Sequence, residues 1–232
     1  MNKPLLRGAE AVLLDLDGTL VASKSSIIAS LHAAMRELGH PLPPDTPLDW
    51  VIGPPLHDIM ARVLAEFGDE RVEEAVLAYR RHYDTGKMLR SPLFEGIAAF
   101  LQSLAGSGRR IFLATSKPLH MARRIVEGHG LAHHFESMYG ARPDDSGAEK
   151  PELIGSLIRE MHVDPARALM IGDRRYDISG AHANGMRAIG VLWGYGGRTE
   201  LEEAGADAIA ESPHTLLGLV EEQFAALREH AA

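Results

Sequence analysis

The chain has no cysteine. That excludes a disulfide framework and thiolate chemistry, and it makes a reducing cytoplasm the expected compartment. No apolar stretch in it is long enough to span a bilayer. Asn2-Lys3-Pro4 leads toward the first apolar run without the shape of a secretory leader, so none is expected. There is no excess of basic residues either: 24 Lys and Arg stand against 32 Asp and Glu, a formal net charge of −8. This balance argues against a general binder of nucleic-acid polymers. It does not argue against a small phosphate substrate, because a bound divalent cation dominates its local field. Internal repeats, low-complexity tracts and coiled-coil heptads are absent as well. What remains is a chain of 232 residues, enough to bury a sizeable core in one large domain or two small ones.

The most informative segment is Asp15-Leu16-Asp17-Gly18-Thr19-Leu20, at the end of the apolar run Ala11-Val12-Leu13-Leu14. The run reads as a buried strand. Asp15 and Asp17 would point the same way from it. Like charges held so close are costly unless a cation lies between them or one keeps its proton. Gly18 lets the backbone turn sharply. Three further pieces follow in order. Ile111-Phe112-Leu113-Ala114 ends in Thr115-Ser116-Lys117-Pro118, Lys150-Pro151 opens a helix, and Ala168-Leu169-Met170-Ile171 ends in Gly172-Asp173-Arg174-Arg175-Tyr176-Asp177.

With these four pieces the chain resembles the haloacid dehalogenase-like hydrolase superfamily over almost its whole length, and within it the phosphoglycolate phosphatase and bacterial 5′-nucleotidase-like members. Strands are expected at about residues 10–15, 110–115, 137–140, 168–172 and 187–192, with a short one near 207–210. Helical stripes such as Leu153, Ile154, Leu157, Ile158 and Met161 separate them, as does a last stripe of Leu216, Leu217, Val220, Phe224 and Leu227. The alternation predicts an α/β fold with a doubly wound parallel sheet, which binds ligands beyond the carboxyl ends of its strands. The resemblance implies a Rossmann-like sheet with the 10–15 strand central.

Residues 22–90 read as helices only. Ile27, Ile28, Leu31, Met35 and Leu38 share one face, with Gly39 as a stop; Leu56, Ile59, Met60, Val63, Leu64 and Phe67 share a second; Val72, Val76, Tyr79 and Tyr83 share a third. The resemblance implies an inserted α-helical cap at 22–90, a catalytic core at 1–21 and 91–232, and hinges near 20–24 and 88–94. The Gly53-Pro54-Pro55 loop would face the core site, with Trp50, His57 and Lys24 as nearby candidates for specificity.

The resemblance also implies roles. Asp15 is the nucleophile that forms an aspartyl-phosphate, and Asp17 is the general acid and then the base. Mg²⁺ is held by Asp15, the backbone carbonyl of Asp17 and Asp173. Gly18, Thr115, Ser116 and Lys150 serve the phosphate, with Gly53 and Pro54 against the substrate, and Asp177 supports Lys150 or a metal-bound water from behind. The expected activity is a Mg²⁺-dependent phosphomonoesterase acting on a small phosphorylated metabolite, phosphoglycolate or a nucleoside monophosphate. The expected assembly is a monomer or weak homodimer, without membrane or nucleic-acid partners. The alternatives are a sugar phosphomutase of the same superfamily and a non-catalytic phosphate-binding protein.

Taken singly, each residue has a plainer reading. Asp15 and Asp17 could close a strand, Thr115 could simply end one, and Ser116 is expected to cap the following helix with Pro118 in its first turn. Lys150 alone would be a solvated helix-start residue, and Asp177 a first-turn acid favoured by the helix dipole. Trp50 is expected in the cap core, and Arg174 and Arg175 on the surface. His129, His133 and His134 lack the spacing of a zinc site. Gly194-Tyr195-Gly196-Gly197 lacks that of a nucleotide fingerprint and reads as a flexible loop beside the site.

Overall fold

The computed structural model describes residues 9–84, 86 and 91–230; Asn2-Lys3-Pro4 and residues 88–90 of the second expected hinge lie outside them. Six strands form one sheet: β1 (Ala11–Leu14), β2 (Arg110–Pro118), β3 (Ser137–Ala141), β4 (Ala168–Gly172), β5 (Arg187–Val191) and β6 (Ala208–Ala210). They lie in the order β3-β2-β1-β4-β5-β6, and every neighbouring pair is parallel. This is the expected doubly wound sheet, with β1 in its middle: Val12 registers with Ile111 on one side and Leu169 on the other.

Strand alternation explains how the sheet is covered on both faces. Val12, Leu14, Ile111, Leu113, Leu169 and Ile171 point to one face, where α4 (Ile97–Gly106), α5 (Leu119–Gly128) and α9 (Pro213–His230) pack. Ala11, Leu13, Phe112, Ala114, Ala168 and Met170 point to the other, against α6 (Lys150–Glu160), α7 (Arg175–Ala183) and α8 (Arg198–Glu203). Because both faces are buried, the strands are nearly continuous apolar runs.

Between β1 and β2 the chain forms α1 (Lys24–Glu37), α2 (Leu56–Ala65) and α3 (Val72–Asp84), and α3 packs against both of the others. Ile27, Leu31 and Met35 are buried on α1, Ile59, Met60, Val63 and Leu64 on α2, and Val76 and Tyr83 on α3. Gly39, at φ +88°, ends the first helix as expected. Phe67 departs from its expected place. The helix ends before it, at Ala65, so Phe67 is 41% exposed and stacks on His40 with ring centroids 4.5 Å apart. The chain leaves and re-enters the sheet side by side: the Ala22 amide donates to Pro92 O at 2.8 Å, and the Phe94 amide to Leu20 O at 3.1 Å. Among the described residues, no helix is long and apolar enough to cross a membrane.

Candidate active site

The parallel sheet delivers Asp15 and Asp173, just beyond the carboxyl ends of β1 and β4, and Thr115, in the carboxyl half of β2, to one side of the sheet. Gly18, at φ +90°, turns the chain back beneath Asp173. A Cβ at Gly18 would lie 2.2 Å from Asp173 Oδ2, so only glycine allows this approach. Asp173 is fully buried; its carboxylate accepts from the Tyr195 amide at 2.7 Å and from the Thr19 hydroxyl at 3.4 Å. Within the Gly194–Gly197 segment, Gly194 and Gly196 pack directly on Asp173, while Gly197 is exposed. A Cβ at Gly194 would meet Asp173 Cβ at 2.3 Å, and one at Gly196 would meet Asp173 O at 2.0 Å.

Lys150 enters from the first turn of α6 and is buried. Its Nζ donates to Asp15 Oδ1 and to Ala114 O, both at 2.7 Å, and pairs with Asp177 Oδ1 at 2.6 Å. Asp177 also accepts from the Arg174 amide at 3.1 Å, and it fills the space a Cβ would need at Gly172. Ligand oxygens from Asp15, Asp173 and Asp177 all lie within 4.8 Å of one another. Burial, only partly opposed by Lys150, pushes the Asp15 carboxyl up to about 6. Burial and the neighbouring Asp15 and Asp177 push Asp173 well above the usual carboxylate range. Burial opposes the charge on Lys150, but Asp15 and Asp177 hold its ammonium above the ordinary lysine range. Three crowded, desolvated carboxylates, two of them sharing the Lys150 ammonium and Asp173 without a paired cation among the described residues, make a hard, oxygen-rich donor set. It fits a divalent cation.

Thr115 is buried beside this cluster, and the Lys117 amide donates to its hydroxyl at 3.3 Å. Lys117 joins this cluster, although the sequence motif left it unassigned. Its Nζ donates to Asp17 Oδ2 at 2.5 Å and lies 4.8 Å from the centre of the Tyr83 ring, while Asp17 Oδ1 is buried without a partner. The available signal was period two along β2, which sends Lys117 the same way as Thr115. Ser116 does not cap a helix. Strand β2 continues to Pro118, α5 begins at Leu119, and the Ser116 hydroxyl donates to Ala148 O at 2.7 Å.

A cavity with room for water over about 100 Å³ separates these groups from the inserted helices. Asp15, Asp17, Thr115, Ser116, Lys150 and Asp177 line it, and Gly53 and Pro54 face it from the insertion. Arg174 is not a surface residue. Its side chain is 11% exposed, lines the cavity, donates to Glu200 Oε1 at 2.9 Å and donates through Nη1 to Ile52 O. Arg175 is exposed, as expected.

Trp50, His57 and Lys24 are not among the lining residues. Trp50 packs on the core under Arg62, and Lys24 pairs with Asp49. His57 bridges Asp145 at 3.1 Å and Glu73 at 3.0 Å. His129 is bonded to Ser91 O at 2.9 Å, and the aspartate trio is the metal-capable group found among the described residues.

Comparison with known proteins points to one family. The model of the family described as haloacid dehalogenase-like hydrolase matches residues 12–191. A 5′-nucleotidase of Pseudomonas aeruginosa is 36% identical over 190 residues, covering 82% of this chain and 86% of its own. The tyrosine-protein kinase PtkA of Mycobacterium tuberculosis is 36% identical over 187 residues, covering 81% of this chain; the chain spans 63% of that relative's length. A crystal structure described as a predicted phosphatase from Clostridium acetobutylicum superposes with a TM-score of 0.85 at 30% identity, covering 92% of this chain and 99% of that one. The chain belongs to the haloacid dehalogenase-like hydrolase family.

Proposed function

We propose that the protein is a Mg²⁺-dependent phosphomonoesterase for a small phosphorylated metabolite, with residues 22–90 acting as a cap over the catalytic core. The observation that carries this reading is Asp15 itself. It lies at the end of the central strand, with Oδ1 2.7 Å from Lys150 Nζ and with Asp173 and Asp177 around it, facing the cavity between the sheet and the inserted helices. The 5′-nucleotidase name of the Pseudomonas relative supports the same chemistry.

In this mechanism Asp15 attacks phosphorus, the bond from phosphorus to the ester oxygen breaks, and Asp17 gives its proton to the departing alkoxide. Asp17 then takes a proton from water, the water oxygen bonds to phosphorus, and Asp15 is released with inorganic phosphate. Mg²⁺, which Asp15, Asp173 and the Asp17 carbonyl would hold, supplies charge neutralisation of the phosphoryl oxygens. Lys150 keeps Asp15 aimed, Asp177 keeps Lys150 charged and in place, and Thr115 donates to the phosphate. The Ser116 hydroxyl is already engaged by Ala148, so its contribution is limited to its backbone.

The test is a screen of phosphorylated metabolites for phosphate release with Mg²⁺, beside Asp15→Asn. Metal-dependent release that Asp15→Asn abolishes is expected. Isomerised sugar phosphate without net release would instead identify a phosphomutase. Binding without turnover across the panel would identify a phosphate-binding protein.

A further inference from the structure

The reading above leaves the alcohol half of the ester open. We infer that the cavity accepts an ester whose alcohol is uncharged and carries an apolar ring, and that the Arg80–Asp145 ion pair enforces this by neutralising the cation that would otherwise attract a substrate carboxylate. This inference rests on the phosphomonoesterase reading of the same site.

The first observation is the wall facing the strand ends. Ile27, Leu31 and Ile59 line it, with Met121 from the core side, and Tyr79 and Tyr83 complete it as a stacked pair with centroids 5.5 Å apart and planes 13° apart. A ring on the departing alcohol would gain by burial against this wall and by contact with the tyrosines. A carboxylate there would lose its water against a wall that is mostly hydrocarbon and aromatic, where the Tyr83 hydroxyl is a buried polar atom without a partner of its own.

The second observation concerns charge. Four cationic side chains line the cavity: Arg80, Lys117, Lys150 and Arg174. Each already has an anionic partner. Lys150 has Asp15 and Asp177, Lys117 has Asp17, and Arg174 has Glu200. Lys117 and Lys150 stand beside the phosphoryl site. The cation contributed by the inserted helices is Arg80 of α3, and its Nη2 lies 2.9 Å from Asp145 Oδ1; the pair is matched in charge but not as an aligned hydrogen bond, since Arg80 Nε and Nη2 and Asp145 Oδ1 are buried without a hydrogen-bond partner. Asp145 belongs to the loop before α6, is 6% exposed at its side chain, and also faces His57 Nδ1 at 3.1 Å. The loop presents it at φ +63°, a conformation that asparagine and aspartate tolerate and most residues do not. An acid carrying its own carboxylate, such as 2-phosphoglycolate, would therefore meet Asp145 instead of a free guanidinium.

The experiment compares benzyl phosphate with 2-phosphoglycolate, both esters of primary alcohols. In Mg²⁺ buffer, kcat/KM is measured on the intact chain, and binding is measured by calorimetry on Asp15→Asn, which cannot turn the ester over. Benzyl phosphate is expected to lead at least tenfold in both. Equal or tighter binding of 2-phosphoglycolate would overturn the inference. Asp145→Asn, an amide suited to the same backbone conformation, frees the Arg80 charge. It is expected to shift the binding ratio toward 2-phosphoglycolate by about tenfold or more, the scale of one charge-assisted hydrogen bond. An unchanged ratio in a folded Asp145→Asn chain would overturn the role of the ion pair. If neither ester is hydrolysed yet benzyl phosphate still binds tenfold tighter, the inference stands and the phosphomonoesterase reading falls.

Discussion

Lys117 and Asp17 are joined across the mouth of the sheet: the ammonium of a β2 residue lies 2.5 Å from a carboxylate in the turn after β1. Their side chains are 7% and 14% exposed, so the pair is shielded from the screening that makes surface ion pairs weak. In the proposed mechanism Asp17 moves the proton, and Lys117 fixes where that carboxyl stands.

Lys117→Met keeps the apolar stem and removes the charge. Losing a charge-assisted hydrogen bond at the proton-transfer group should raise the barrier by about 1.5–3 kcal/mol, a fall in kcat/KM of about tenfold to a hundredfold. Urea unfolding alongside the kinetics would show that the fold persists. Activity within twofold of wild type would remove Lys117 from the site.

Asp17→Asn should lower turnover of alkyl phosphates by about 10²–10⁴-fold, the range for a lost general acid or base. An aryl phosphate with a good leaving group needs no proton in the first step, so its single-turnover burst should fall much less. Equal slowing of the two bursts would contradict the acid role.

The glycines give a prediction of sign. Gly218 lies within α9, and a Cβ there would meet nothing within 4 Å, so Gly218→Ala should stabilise by about 0.5–1 kcal/mol through helix propensity. Gly180 lies within α7, but a Cβ there would lie 2.7 Å from Lys150 Cβ and 3.1 Å from its carbonyl carbon. Gly180→Ala should therefore destabilise by about 1–3 kcal/mol and displace Lys150, lowering activity as well. Chemical denaturation of both variants checks the contrast; stabilisation by both would show that α6 and α7 can yield at no cost.

The sequence makes legible whatever depends on local pattern. Each expected strand lies within a residue or two of its place, apart from the longer end of β2, because buried parallel strands are apolar runs closed by turn residues. Asp15, Thr115, Lys150, Asp173 and Asp177 converge because each sits toward or just after the carboxyl end of a strand or in a helix's first turn, and parallel topology gathers those positions. Residues whose role depends on meeting a distant partner were not legible. Arg80 and Asp145 are far apart in sequence and meet only because α3 lies over the loop before α6. Arg174 looked solvated because nothing local shows that the Ile52 carbonyl and Glu200 arrive beside it. Ser116 and Phe67 were misplaced for a smaller reason: element ends shifted by a few residues, which moves a cap or exposes a ring.

The last prediction joins pH to metal binding. Asp15 is raised to about 6 from 3.8, chiefly by burial, and Asp173 is raised as well. A carboxyl raised in the folded state binds more protons there than in the unfolded chain between the two values. Its contribution to stability is therefore complete below about pH 4 and is lost as pH rises through about 6. Without metal, wild type should gain about 1 kcal/mol relative to Asp15→Asn when pH falls from 7 to 5. Mg²⁺ needs the same carboxylates deprotonated, so its effect runs the other way. The rise in Tm on adding Mg²⁺ should be large at pH 7.5, shrink through pH 6 and nearly vanish at pH 5, and Asp15→Asn should show a weaker rise with a flatter profile. Thermal unfolding with Mg²⁺ and with EDTA at the three pH values reads both effects. A Mg²⁺-induced rise in Tm that is equally large at pH 5 and pH 7.5 would show that the ion binds somewhere other than the Asp15–Asp173 carboxylates.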